Sequence, residues 1–206
     1  AFTTGDSPFK YIPAYNVSLF LSANAADVEK ANAEGYAAGQ VLASTAEDDE
    51  NDEELRIAFD FDGVIADDSA EYVYQKGGIN RFYETEKAKA SIPHTPGPLA
   101  DLFAKLARLR DLEDERAKNE PGYRSHIKTA IVTARSAPAH ERVVTTLRAW
   151  NINVDQTFFL GGMDKGRILA ILKPHIFFDD QVDPHLTSAS HFSPSVYIPI
   201  NGGVLK

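Results

Sequence analysis

The chain has no cysteine, which excludes disulfides, thiolate nucleophiles and thiolate metal sites. Positive charge is in short supply: 21 Lys and Arg stand against 30 Asp and Glu, a formal net charge of -9. Polyanion affinity comes mostly from Lys and Arg, so neither a nucleic-acid polymer nor an anionic membrane is an expected partner. A small anionic substrate stays open if local positive groups or a divalent cation offset that field. The chain also lacks an apolar run of the ~18 residues that a membrane span needs. His94, His126, His140, His175, His185 and His191 are scattered without HExxH-type spacing, and read as surface or internally satisfied residues. The first residue is Ala1 rather than Met, so an upstream piece is expected to have been removed or left out.

What is present is an ordinary globular composition, 43% hydrophobic and 25% charged over 206 residues, enough for one sizeable domain with an insertion or two small ones. Residues 1–46 hold a strand-like VSLFLSA (17–23) and an alanine-rich, helix-compatible segment (25–38). The block EDDENDEE (47–54) reads as a solvated acidic linker. Residues 55–206 form the expected catalytic domain, with 64–128 contributing a cap insertion. Short apolar runs at RIAF (56–59), TAIVT (129–133), TFFL (157–160), HIFF (175–178) and SVYIP (195–199) predict strands. Leu99, Leu102, Phe103, Leu106 and Leu109 have the spacing of an amphipathic helix and are expected in the core. Ser136 with Pro138 marks a helix start, and Val143, Val144, Leu147 and Trp150 give that helix an apolar face. Strands alternating with helices predict an α/β fold, a Rossmann-like and mostly parallel sheet whose ligand site lies beyond the carboxyl ends of its strands. A gapless alignment of 1–23 on 158–180 adds a weak internal similarity, with Phe2, Gly5 and Phe20 meeting Phe159, Gly162 and Phe177. If it is a repeat, the first copy is degenerate, with Pro8 opposite Lys165 and Ser22 and Ala23 opposite Asp179 and Asp180.

The stretch RIAFDFDGVIADD (56–68) organises the rest. Asp is a poor strand former and is rarely buried unless its charge is satisfied, so Asp60 and Asp62 at the end of a core strand call for a metal or a reaction. Asp62-Gly63 alone reads as a turn. Three further polar features fall at or near predicted strand ends: Thr133, Lys165 and the pair Asp179-Asp180. In a parallel sheet these ends converge on one rim, and together they specify phosphoryl transfer. An anionic nucleophile approaching an anionic phosphorus needs cationic compensation first. Asp60, Asp179 and Asp180, with Asp62 beside them, supply the oxygen ligands that Mg²⁺ prefers. Asp60 would attack phosphorus to give an aspartyl-phosphate, and Asp62 would protonate the leaving oxygen and later activate water. Thr133 with its neighbour Ala134, and Lys165, would bind the phosphoryl oxygens, and Gly63 would let the backbone approach them. Tyr72, Tyr74, Phe82 and Tyr83 offer rings to a base, Phe82 being taken as the candidate contact. Arg135 is placed to reach either the phosphate or a neighbouring carboxylate.

FDFDGV, IVTAR, GGMDK and FFDDQ resemble the four motifs of the haloacid dehalogenase-like (HAD-like) phosphohydrolases. VSLFLSANAADVEKANAEG, RIAFDFDGVIADDSAE, TPGPLADLF and IVTARSAPAHERVVTTLRAWNINVDQTFFLGGMDK further resemble the cytosolic type I 5′-nucleotidase family, over almost the whole chain. The resemblance implies a HAD-like fold with a small cap and a magnesium-dependent, cytoplasmic phosphohydrolase acting on nucleoside 5′-monophosphates. It also implies Asp180 rather than Asp179 as the direct magnesium ligand. Members carry a longer amino-terminal half, so the chain is either a fragment or a natural short form. Two other readings remain: a phosphatase of the same mechanism for another phosphoester such as a sugar phosphate, and a non-catalytic nucleotide-binding or regulatory protein. Oligomeric state and base preference are not legible in the sequence.

Overall fold

A computed structural model describes residues 8–47 and 49–200. Its centre is a seven-stranded sheet in the order β1-β2-β7-β6-β3-β4-β5. The strands are β1 (Phe20–Ser22), β2 (Ala38–Val41), β3 (Leu55–Phe59), β4 (Ile127–Thr133), β5 (Gln156–Phe159), β6 (Ile176–Asp179) and β7 (Ser195–Tyr197). β3 lies inside, parallel to β4 on one side and β6 on the other, with Ala58 opposite both Ala130 and Phe177. β5 and β7 continue the parallel array, and β2 alone pairs antiparallel, against β7. The expected mostly parallel α/β sheet is therefore present.

That antiparallel pairing has a consequence for the amino-terminal segment. β1 runs parallel to β2, so both run against β6; Ser22 shares a row with Asp179 through Gln40 and Tyr197, but the chain leaves β1 there in the direction opposite to that in which it leaves β6. The alanine-rich segment 25–38 is helical only in its first part: α1 (Ala25–Ala33) stops at Ala33, Gly35 (φ +86°) turns the chain back, and Ala38 already opens β2. AGQV carries no apolar alternation, and its strand state is imposed by the pairing with β1 and β7. Phe2 and Gly5, two of the three identities in the internal similarity, lie outside the described residues.

Helices α2 (Ser69–Ala88), α3 (Ala100–Asn119), α4 (His140–Ala149), α5 (Gly166–Leu172) and α6 (Thr187–Ala189) complete the fold. α3 packs on the sheet: Leu99, Phe103 and Ala107, four residues apart, join Phe59, Ile131 and Phe178 in the main core. Phe59 meets Phe103 edge-on at 5.0 Å and stacks on Phe178 at the same distance, favourable aromatic geometries. Ala107 continues the buried stripe where Leu109 was expected to; Leu109 is 49% exposed. The far end of α3 is tied to β4 by Glu113, whose carboxylate accepts from the backbone N–H of His126 (3.0 Å) and Ile127 (2.8 Å). Of the insertion between the first two motifs, α2 stands over the carboxyl rim. Gly78 (φ +69°, ψ -174°) breaks it into two helical pieces.

This core sets the register of β3 and with it the position of its last residues. Phe59→Ala is expected to cost ~3–5 kcal/mol, as large-to-small core changes do, whereas Leu109→Ala stays within about 0.5 kcal/mol. Denaturant unfolding of the two variants measures both.

Candidate active site

The carboxyl ends of β3, β4 and β6 deliver the polar residues to one place. β3 ends at Phe59, and Asp60 follows with its N–H bonded to Phe178 O (2.8 Å), which locks it to β6. The chain then folds into one wide turn, Phe61–Ile65, closed by Ala66 N–H to Phe61 O (2.8 Å). Gly63 makes that turn at φ +72°, and a Cβ there would collide with Asp180 Oδ2, so glycine is required on two counts. Thr133 ends β4, and Gly161 and Gly162 N–H donate to Arg135 O and Ala134 O (both 3.1 Å), joining the β4 and β5 loops.

A cavity of about 400 Å³ opens at this rim. Asp60, Asp62, Thr133, Ala134 and Arg135 line its floor, and Tyr74, Phe82 and Tyr83 of α2 face it. Lys165, Asp179 and Asp180 lie beside and beneath Asp60. Lys165, immediately before α5, is fully buried. Its ammonium is 2.9 Å from Asp60 Oδ1 and 2.7 Å from Asp179 Oδ2. The structure thus gathers the separated motifs around one centre. It divides them into two groups, the second being Asp62 with Arg135, whose Nε and Nη2 donate to the two Asp62 oxygens at 2.7 Å each.

The first group is electrostatically unbalanced. Two buried carboxylates, Asp60 and Asp179, share one ammonium, and the half-buried Asp180 stands beside them. Burial pushes Asp60 up to about 7, with Lys165 opposing and Asp179 and Asp62 adding to the rise. Burial, then Asp60 and Asp179, push Asp180 up to about 9. Burial would also raise Asp179, but Lys165 and His185 hold it below the usual carboxylate range. Burial would lower Lys165, but Asp60 and Asp179 hold it above the ordinary lysine value.

These residues fit a hard divalent cation. Asp60, Asp179 and His185 each bring an atom within 4.8 Å of one another. Asp179 is already engaged, however, accepting from Lys165 and from Gln181 N–H (2.9 Å). Asp180 Oδ1 is buried without a hydrogen-bond partner among the described residues, the signature of an acceptor meant for something else. Asp60 and Asp180 are therefore the oxygens best placed to take a cation. Both oxygens of Asp62 are held by Arg135.

Two features escape sequence reading. His185 Nδ1 lies 3.2 Å from Asp179 and the residue lines the cavity; the only signal is its place five residues beyond Asp180. Glu86, His94 and Arg142 surround Arg135 in a buried cluster. Glu86 follows Phe82 by one helical turn, but nothing local announces an acid turned inward.

A Rossmann-like sheet with this convergence of strand-end acids, hydroxyl and buried lysine is the arrangement expected from the resemblance to the haloacid dehalogenase-like motifs. The chain belongs to the 5′-nucleotidase family, which matches residues 1–203. It is 36% identical over 181 residues to human cytosolic 5′-nucleotidase 1B, an alignment covering 87% of this chain and 29% of that protein. The chain thus spans less than a third of that relative's length. The HAD domain of the effector protein Lem4 from Legionella pneumophila superposes with a TM-score of 0.40 and 14% identity, over 73% of this chain and 89% of that one.

The charge imbalance has a thermodynamic sign. Asp60 and Asp180 keep their protons to higher pH when folded than when unfolded, so the unfolded chain binds fewer protons and stability falls as pH rises. In metal-free buffer the melting temperature is expected to decline from about pH 4 toward pH 9, the window set by the ordinary carboxylate value and the raised value near 9. Asp180→Asn should flatten that decline and raise the melting temperature at pH 8 by roughly 2–8 °C, the shift that ~1–2 kcal/mol gives a chain of this size. Magnesium should raise the melting temperature of the parent protein at pH 8 and leave Asp180→Asn nearly unmoved. Thermal scans across pH, with chelator and with magnesium, read all of these.

Proposed function

We propose that the protein is a magnesium-dependent phosphohydrolase that removes phosphate from nucleoside 5′-monophosphates through an aspartyl-phosphate on Asp60. The observation that carries the reading is the buried Lys165 between Asp60 and Asp179, next to a further acid, Asp180, whose buried Oδ1 has no hydrogen-bond partner among the described residues. A carboxylate kept this close to an ammonium and away from water is oriented and compensated for attack on an anionic centre. Membership of the 5′-nucleotidase family supports the substrate class.

The steps follow from the chain's own residues. Phe61 N–H (2.7 Å) and Lys165 hold Asp60 Oδ1, leaving Oδ2 as the oxygen to attack. The Thr133 hydroxyl and the Ala134 backbone face the cavity beside it and suit the non-bridging phosphoryl oxygens. Asp62 lies two residues on, where it gives a proton to the departing nucleoside oxygen and later takes one from water. Phe82, Tyr74 and Tyr83 present aromatic faces on the open side, suited to stacking a base, an interaction on the order of 1–3 kcal/mol. Magnesium, held by Asp60 and Asp180, would neutralise the phosphate charge that the acidic site otherwise repels.

Asp60→Asn should fold normally and lose phosphate release from nucleoside monophosphates by at least about 10³-fold. Unchanged turnover would remove the covalent mechanism. A phosphate-release panel of nucleoside monophosphates beside sugar phosphates decides the substrate, a preference for sugars pointing to another phosphoester.

A further inference from the structure

Arg135 is held on every side. A guanidinium carries five N–H groups; four of them have acceptors here, and the His94 ring lies against the fifth. Nε donates to Asp62 Oδ2 and Nη2 to Asp62 Oδ1, both at 2.7 Å. Nη2 also meets His94 Nε2 at 3.0 Å. Nη1 donates to Glu86 Oε2 and to Ala139 O, the latter at 3.1 Å. The rings of Phe61 and Phe82 lie 5.4 and 5.5 Å from the guanidinium carbon. Glu86 is itself fixed, receiving Arg142 Nη1 at 2.7 Å, and its side chain is 1% exposed. Burial would raise Glu86, yet His94 and Arg135 bring it down to about 2.

A side chain committed in this way cannot also turn to a phosphate without releasing Asp62 or Glu86. The geometry points to Arg135 as a positioning residue: it fixes the direction of the Asp62 carboxylate for the water-activating step, and Glu86 makes that direction depend on α2 being seated over the site. The inference rests on the proposed role of Asp62. Both Asp62 oxygens accept from Arg135, which leaves their remaining lone pairs to take a proton. In the second half-reaction a water oxygen bonds to phosphorus, the bond from phosphorus to Asp60 breaks, and the water proton passes to Asp62. The products are inorganic phosphate and free Asp60. A bidentate guanidinium supplies the angular restraint this transfer needs, and a point-charge ammonium does not.

The test separates the half-reactions with p-nitrophenyl phosphate, whose leaving group needs no proton. Its kcat/KM reports transfer to Asp60, whereas kcat includes hydrolysis of the phosphoenzyme. Arg135→Lys is expected to lower kcat about 10²-fold, the lower range for general-base contributions. Its kcat/KM for p-nitrophenyl phosphate should stay within about threefold of the parent, since that step asks nothing of Asp62. Rapid mixing should then show a burst of p-nitrophenolate approaching one equivalent per enzyme. Glu86→Gln, which keeps shape and loses the charge, should show the same split with roughly a tenfold fall in kcat, and it carries the test if Arg135→Lys does not fold. Equal falls in kcat and kcat/KM without a burst, weakened inhibition by inorganic phosphate, or parent-like kinetics in both variants would each overturn the inference. A parent protein that releases phosphate from neither substrate class would overturn the proposed function, and this inference with it. Parent turnover with indifferent variants would overturn this inference alone.

Discussion

The site depends on a buried cation shared by acids that cannot all be satisfied by it. Lys165 lies between Asp60 and Asp179, and Asp180 is left over. Burying one ion pair already costs desolvation that the pair's attraction only partly offsets. Adding carboxylates without further cations makes the folded state worse, not better. The sheet has to hold these groups together against that repulsion. It does so with the Phe59, Phe103 and Phe178 cluster and the backbone bond from Asp60 to Phe178, which place the acids by main-chain geometry rather than by mutual attraction.

The two halves of the site are anchored differently. Asp60, Thr133 and Asp179 stand on strand ends or directly after them, so their positions are inherited from the register of the parallel strands, while Lys165 stands at the start of α5. Asp62 lies three residues beyond β3, in a turn that Gly63 makes with a positive φ. No strand holds its side chain; Arg135 does, and Arg135 is held in turn by Glu86 on α2. Gly78 interrupts α2 between Tyr74 and Phe82, both of which line the cavity. Phosphate chemistry thus resides in the rigid sheet, while acid–base geometry is connected to the helix that covers the site.

This division explains what the sequence discloses. Strand-end acids, Thr133 and Lys165 are legible because the period of each short apolar run predicts a buried strand, and a charged residue at its end contradicts burial unless it has work to do. The sheet is legible for the same reason. β2 is not, because AGQV has neither apolar run nor alternation and becomes a strand only between two partners. The setting of Arg135 among Glu86, His94 and Arg142 is hidden because those three come from separate stretches, α2, the loop after it and α4, and each of them alone looks like a solvated helix or loop residue. Leu109 errs in the opposite direction: its spacing fits a helix face, but Ala107 occupies the side that the sheet reaches.

A structure that concentrates acids in its interior is stabilised when they are protonated or when a counter-charge is available, and this ties ligand binding to folding. Any cation that enters between Asp60 and Asp180 removes a penalty present in the free protein, so its apparent affinity contains a share of relieved strain as well as of coordination. The same holds with opposite sign for phosphate, whose charge adds to that of the acids, so its binding is favoured once a cation has entered. Binding of the two is therefore coupled through the buried charge itself, without any movement of the sheet. The coupling is reciprocal: bound phosphate would raise the affinity for the cation by the same factor that the cation raises the affinity for phosphate.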